Sequence, residues 1–193
     1  MRARLANVPQ PVLRTDRLVL EPLAAEHVDL EIELDSDPEV LRYLFPRGQT
    51  AEETRARHGE RMARAGEVDG LGVWAGFDDG TFIGLFMLNP PHGPSQPKLP
   101  GLADLGYRIR RERWRRGYAR EGSLELLRHG FETVGLDRVI AQTMAVNSAS
   151  RATMASVGLS YVRSFTEEYD EPVAGHEEGE VEYAITREEW LRR

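Results

Sequence analysis

The segment richest in chemistry is Trp114-Arg115-Arg116-Gly117-Tyr118-Ala119-Arg120-Glu121. It lies between a strand-like run and a long amphipathic helical one. Small residues at Gly117 and Ala119 let backbone N–H groups turn toward an anion. The start of the following helix adds partial positive charge, worth about 0.3–1 kcal/mol per nearby anionic group. Arg115, Arg116 and Arg120 add full charges with forked donors. These types in this order suit a phosphate or pyrophosphate; they also suit a plain turn followed by solvated arginines. The segment has neither the Gly-Lys-Ser/Thr ending of nucleotide-hydrolase phosphate loops nor the three-glycine dinucleotide fingerprint.

Charge is uneven around it. From Arg108 to Arg120 there are seven arginines against one acid, Glu112. From Phe165 to Glu182 there are eight acids (Glu167, Glu168, Asp170, Glu171, Glu177, Glu178, Glu180, Glu182) and no Lys or Arg. That stretch suits either attraction of a cationic amine or a solvated hairpin. The histidines His27, His58, His92, His129 and His176 form no metal-ligand spacing, and there is no cysteine, so the expectation is no metal, no disulfide and no thiol nucleophile. His92 and His176 sit in loops able to border a pocket, whereas Trp74, Trp114 and Trp190 read as core.

The elements that must position these residues follow from pattern. Thr15 to Glu21 reads as a strand, and Ser36-Asp37-Pro38-Glu39 as a helix start. His27 to Asp35 is ambiguous: Val28, Leu30, Ile32 and Leu34 alternate like a strand, while Glu26, Glu31 and Glu33 suit a helix. Thr50 and Glu53 have capping-box spacing for a helix to Ala65, stopped by Gly66 and poor in apolar surface, so it should lie outside the domain. Gly72 to Phe77 and Thr81 to Leu88 form a hairpin through Asp78-Asp79-Gly80. Residues 89–102 form a loop with five prolines, read either as a surface insertion or as a wall over a pocket. A strand over Ala103 to Ile109 follows, then a helix from Ala119 to Val134 ended by Gly135, and a strand over Arg138 to Met144. Asn147 caps a helix to Gly158, and Leu159 to Phe165 pairs with Val181 to Thr186.

The order is mixed α/β in a single domain spanning 1–193, with 1–12 as a flexible arm. A net charge of −7 argues against nucleic acid as partner. No run approaches the roughly 18–20 apolar residues of a membrane span, and Met1 to Asn7 lacks the apolar core of a secretion signal, so a cytoplasmic protein is expected. Oligomeric state, monomer or homodimer, is left open by the sequence.

The stretch W-R-R-G-Y-A-R-E resembles the acyl-CoA pyrophosphate loop of the GCN5-related N-acetyltransferase (GNAT) superfamily, and in particular its ribosomal-protein alanine N-acetyltransferase-like branch. That branch reads Trp-Gly-x-Gly-Tyr-Ala-x-Glu here; Trp114, Gly117, Tyr118, Ala119 and Glu121 match, and Arg115 replaces the first glycine. Arg14 to Leu23, Leu105 to Ile109, Asn147 to Leu159 and Tyr183 to Trp190 resemble the branch in the same order, so the likeness spans residues 13–191.

The resemblance implies a mixed, mostly antiparallel sheet flanked by helices and splayed between Ala103–Ile109 and Arg138–Met144, with His27–Asp35 helical. It implies acetyl-CoA as co-substrate, held by Arg115, Arg116, Gly117, Tyr118, Ala119 and Arg120 at its pyrophosphate. Tyr107 and Ile109 of the splayed strand would line the pantetheine arm. Asn147 and Ser150 would face the cofactor, with a plain helix cap and a first-turn polar residue as the alternatives.

An amine, from a protein N-terminus or a small molecule, would attack the thioester directly and would need to lose a proton first. Asp104 is the candidate base, on the strand where relatives often carry an acid; a solvent-facing edge acid is the alternative. The tyrosine acid common in relatives is replaced by Met154, with Tyr118 and Tyr161 as substitutes to be considered. Glu121 reads as a first-turn acid packed near the loop. The rival reading is a non-catalytic acyl-CoA-binding or interaction module on the same fold.

Overall fold

A computed structural model describes residues 10–64, 67–169 and 171–193. Ala65, Gly66, Asp170 and nine of the twelve residues of the expected N-terminal arm lie outside them. Eight strands form one sheet in the order β1-β2-β3-β4-β5-β6-β8-β7. They are β1 (Leu13–Arg14), β2 (Leu18–Pro22), β3 (Gly72–Asp78), β4 (Thr81–Asn89), β5 (Leu102–Ile109), β6 (Arg138–Met144), β7 (Ser160–Phe165) and β8 (Glu180–Thr186). The helices are α1 (Val28–Ser36), α2 (Pro38–Leu41), α3 (Ala51–Arg64), α4 (Tyr118–Arg128), α5 (Ser148–Ser156) and α6 (Arg187–Leu191).

The local signals act as their chemistry requires. Asp79 and Gly80 both have positive φ, 47° and 73°, the geometry a two-residue hairpin needs, and β3 and β4 pair from Asp78–Thr81 onward. The Thr50 N–H donates to Glu53 Oε2 at 2.8 Å and the Glu53 N–H to Thr50 Oγ1 at 3.2 Å, closing the capping box of α3. Asp37 caps α2 by accepting from the Glu39 N–H at 2.9 Å, but that helix stops after four residues. The alternating apolar residues of 28–34 belong to helix α1.

The expected helix over 119–134 is only regular to Arg128; residues 129–134 continue as a wider turn with i→i+5 character, where His129 Nε2 meets the Gly70 carbonyl at 2.7 Å. Tertiary contact overrides helix periodicity there.

One core lies on the α4 and α5 face of the sheet, around Trp74, Phe86, Leu126, Leu127 and Phe131. A second, smaller one includes Leu34, Val73, Phe82 and Leu85, with Met62 of α3 packed against it. Beyond these apolar contacts α3 also turns polar residues inward: Thr54 and His58 are buried.

The central feature is a parting of the sheet. β5 and β6 run parallel and pair only through Leu102–Arg138, Ala103–Val139 and Asp104–Ile140. Past Asp104 they separate: β5 continues along β4 to Ile109, and β6 continues along β8 to Met144. Residues 105–109 therefore offer backbone groups on their β6 side to something other than a strand. Gly84 lets β4 hold β5 in place, since a Cβ there would sit 2.1 Å from the Arg108 carbonyl oxygen. Among the described residues no helix is long and apolar enough to cross a membrane, and no group of three or more His, Asp or Glu is placed to hold a metal ion.

Candidate functional site

The parting of β5 and β6 opens into a cleft of about 1390 Å³. The start of α4, the start of α5, the inner side of α3 and the loop after β4 all contribute to its lining. Asp104, Tyr107, Ile109, Arg115, Gly117, Tyr118, Ala119, Arg120, Asn147 and Ser150 all border it. Arg116 does not; its carbonyl accepts from the Arg17 guanidinium at 3.1 Å.

At the α4 end, Gly117 is the N-cap with φ 83°, and its carbonyl accepts the first helical bond from the Glu121 N–H at 2.9 Å. The conformation leaves the first-turn N–H groups of α4 without intrahelical acceptors. Arg115 also adopts a left-handed φ, of 57°, although it is not glycine. Such a conformation costs an ordinary residue roughly 1–2 kcal/mol. Arg115→Gly is therefore expected to melt no lower than the wild type, because relief of strain offsets the entropy glycine loses on folding. Arg115→Val, which cannot take this φ without strain, is expected to melt roughly 4–8 °C lower. Thermal unfolding of both variants measures the difference.

Glu121 accepts from Thr15 Oγ1 at 2.5 Å, the Arg17 N–H at 3.0 Å and Arg17 Nε at 2.7 Å. Burial opposes its charge, but the Thr15 and Arg17 hydrogen bonds outweigh it and hold the carboxyl below its ordinary value. It ties the loop to the turn between β1 and β2, as a first-turn acid should. The Tyr118 hydroxyl donates to Asp78 and the ring is buried, so this residue offers the cleft its backbone rather than its hydroxyl. Tyr161 lies on β7, bonded to Ser164 Oγ at 2.9 Å and away from the cleft lining. Trp114 departs from the core expectation: it is 42% exposed at the cleft edge, and its indole N–H donates to the Ile109 carbonyl at 2.7 Å.

Across the opening, Asn147 Oδ1 accepts from the Ser150 N–H at 3.1 Å, and its Nδ2 donates to Thr143 Oγ1 at 3.0 Å. Both ends of the amide are engaged in starting α5. The Tyr107 hydroxyl spans from β5 to α5, 3.1 Å from Ser150 Oγ. Burial raises the Tyr107 pKa, so it stays a neutral phenol. Met154 is buried at the back of the same wall.

Asp104 stands where the strands part. Burial lifts its carboxyl to about 6; Gln96 and His92 oppose the rise, and Glu182 adds to it. Gln96 also fixes the proline loop. Its Oε1 accepts from the His92 and Gly93 N–H groups at 2.9 and 3.0 Å, and its Nε2 donates to Gln142 Oε1 on β6 at 3.1 Å. Asn89, Pro90, Pro91, His92 and Lys98 of that loop line the cleft, so it is a wall rather than a loose insertion. His176 does not border the cleft.

Of the two readings of the acidic stretch, the structure bears against an amine-attracting wall of the cleft. None of its described residues lines the cleft. Glu180 and Glu182 are buried in β8, accepting from Tyr169 Oη at 2.7 Å and from Gln142 Nε2 at 2.9 Å.

A cluster that sequence reading missed lies on the α3 side. Glu31 and Asp35 of α1 are fully buried. Glu31 meets His58 Nδ1 and Arg61 from α3, and Asp35 meets Arg108 of β5 at 2.6 Å. The i,i+4 spacing of the two acids and the i,i+3 spacing of His58 and Arg61 were the available signals.

The comparisons agree with this geometry. The family model described as an acetyltransferase (GNAT) domain matches residues 17–160. A protein of Aspergillus fumigatus named FsC-acetyl coenzyme A-N(2)-transacetylase is 45% identical over 186 residues, covering 95% of this chain and 79% of that protein. Among solved structures, the ribosomal-protein acetyltransferase RimL in complex with coenzyme A superposes with TM-score 0.74 at 16% identity, over 91% of this chain and 96% of that one. Spermidine N-acetyltransferase from Vibrio cholerae, in complex with CoA and spermine, gives 0.72 at 15% identity, over 92% and 99%. At these identities the two structures speak for the fold alone.

Proposed function

Because the chain belongs to the GNAT acetyltransferase family and is an acetyl-CoA-dependent enzyme, we propose that it moves the acetyl group onto a primary amine by direct attack, with the β5–β6 opening as the reaction site. The observation that carries this reading is the loss of strand pairing beyond Asp104, which opens the sheet toward the Gly117 cradle.

The residues present fit acetyl-CoA. Arg113 holds a buried Nε with no hydrogen-bond partner at the cleft edge. Arg115 and Arg120 border the same end, where the start of α4 with its unpaired first-turn N–H groups also lines the cleft. The free edge of residues 105–109 suits the amides of a pantetheine arm. When bound, the co-substrate supplies an activated acyl thioester.

Asp104 acts on the acceptor. An ordinary amine of pKa about 10.4 is only some 0.04% neutral at pH 7. A carboxylate near 6 is mostly ionised at that pH, yet basic enough to take the ammonium proton, directly or through a water. A thiol leaving group of pKa about 8.5, if like cysteine, departs without obligatory protonation. That accommodates Met154 at the position of the usual tyrosine. The Aspergillus fumigatus relative is named for transfer to an N(2) nitrogen, which supports nitrogen as the acceptor atom here.

The test is acetyl-CoA binding by calorimetry for the wild type and Gly117→Val. The wild type is expected to bind in the micromolar range. The variant cannot hold φ near 83° without strain and is expected to bind at least tenfold more weakly while keeping its circular dichroism. A folded wild type that binds neither acetyl-CoA nor longer acyl-CoAs would leave the interaction-module reading.

A further inference from the structure

We propose that the acceptor amine also carries a carboxylate, received by Arg57 and Arg108 on the α3 side of the cleft. The inference rests on the transferase reading above and names its substrate class.

Five of the buried side-chain atoms lacking a hydrogen-bond partner belong to the α1–α3–β5 cluster, Asp35 Oδ2, Thr54 Oγ1 and His58 Nε2 behind the cleft lining and Arg57 Nη1 and Arg108 Nη2 on residues of the lining itself. Folded proteins keep few such atoms, and a cluster of them calls for a ligand or solvent. Two are guanidinium donors, and both side chains border the cleft. Arg108 is 6% exposed; its Nη1 is spent on Asp35, while Nη2 stands 3.7 Å from Glu31 without hydrogen-bond geometry. Arg57 makes no ion pair among the described residues. Its guanidinium lies over the Phe45 ring, 3.9 Å from the centroid, which holds its position without using its donors.

The two buried acids are already matched by Arg61 and Arg108, so neither is left over to pair with Arg57. Arg42, Arg61 and Arg64 border the same end beside Glu39, Glu60 and Glu67. With Glu31 and Asp35 included, arginines and acids are even in number there, so recognition comes from the free donors of Arg57 and Arg108 rather than from net charge; the acidic stretch that would favour a polycation lies elsewhere. A planar carboxylate accepting from forked arginine donors fits this arrangement.

Position gives the substrate its length. Asp104 and Arg108 are four residues apart on one strand, about 13 Å along β5. An amine at Asp104 and a carboxylate reached by Arg57 and Arg108 are therefore separated by several bonds, as in an ω-amino acid or the side-chain amine of an amino acid.

The experiment compares ω-amino acids of increasing chain length with the alkylamines of equal length lacking the carboxylate. Transfer is read as thiol release from acetyl-CoA, and binding of each pair to the CoA-loaded protein is read by calorimetry. The expected result is a carboxylate preference of at least tenfold in kcat/KM at the best length, with Arg57→Met bringing the ratio toward one. Arg57 is only partly buried, so this variant is expected to fold, whereas Arg108→Met breaks a buried ion pair. Alkylamines that match or beat the amino acids at every length, or a preference that survives Arg57→Met, would overturn the proposal. Binding separates the two failures. Carboxylate-selective binding without transfer sinks the transferase reading alone, and transfer without selectivity sinks this one alone.

Discussion

Asp104→Asn is expected to lower kcat/KM for amine acetylation by about a hundredfold or more, the usual worth of a positioned general base, while raising the melting temperature. The two effects have one cause. Burial holds the folded-state carboxyl near 6, above its ordinary value of 3.8, so the folded chain binds this proton more tightly than the unfolded chain does. For this group, stability increases as pH falls from about 6 toward 3.8, and above 6 the buried charge is a standing cost. Asparagine removes that cost, roughly 1–3 kcal/mol at pH 7, and is expected to melt several degrees higher. Activity moves the other way. The wild type should show an acid limb in kcat/KM with an apparent pKa near 6, and the variant should lose it. Full activity in the variant, or an unchanged acid limb, would remove Asp104 from the chemistry. A variant that is slower and less stable would point instead to damaged packing at the strand junction.

What the sequence makes legible here is what short-range chemistry determines. The Asp79-Gly80 turn, the Thr50–Glu53 box, the Asn147 cap and the left-handed Gly117 each need partners within a few residues, and each forms as its residue types demand. The family resemblance carried by the Trp114–Glu121 loop and its companion motifs implies the sheet's parting between β5 and β6, where the structure has it. The acceptor side is a different matter. Arg108 finds Asp35 across 73 residues, and His58 finds Glu31 across 27. On a linear reading α3 is a polar helix with little to bury. In space its inward face is polar because α1 presents the buried Glu31 carboxylate to it. Trp114, Glu180 and Glu182 depart from their readings for a related reason. Composition says what a residue prefers, but the exposure of Trp114 follows from its indole N–H being drawn to the Ile109 carbonyl, and the burial of Glu180 and Glu182 follows from their register on β8.

The buried charges also set the second large effect. Glu31→Gln keeps the shape of the side chain but removes the charge that faces Arg61 and Arg108 and the acceptor that holds His58. Breaking one partner of a buried ion network costs about 3–5 kcal/mol, because the remaining charges stay out of water without compensation. Against a total stability of roughly 5–15 kcal/mol, that is a large share. The expected fall in melting temperature is about 6–20 °C for a chain of this size. The pair Glu31→Gln and Arg61→Gln should then be less damaging together than the sum of the two singles, since the double variant leaves fewer unmatched charges. Additive losses, or a Glu31→Gln variant within about 1 kcal/mol of wild type, would mean that water reaches and screens the cluster. In that case Arg108 would be held by Asp35 alone, without support from Glu31. A large, coupled loss means instead that Arg108 is held at the cleft wall before any acceptor arrives. Its ordering cost is then met by folding rather than by binding, which is how a buried arginine contributes to selectivity.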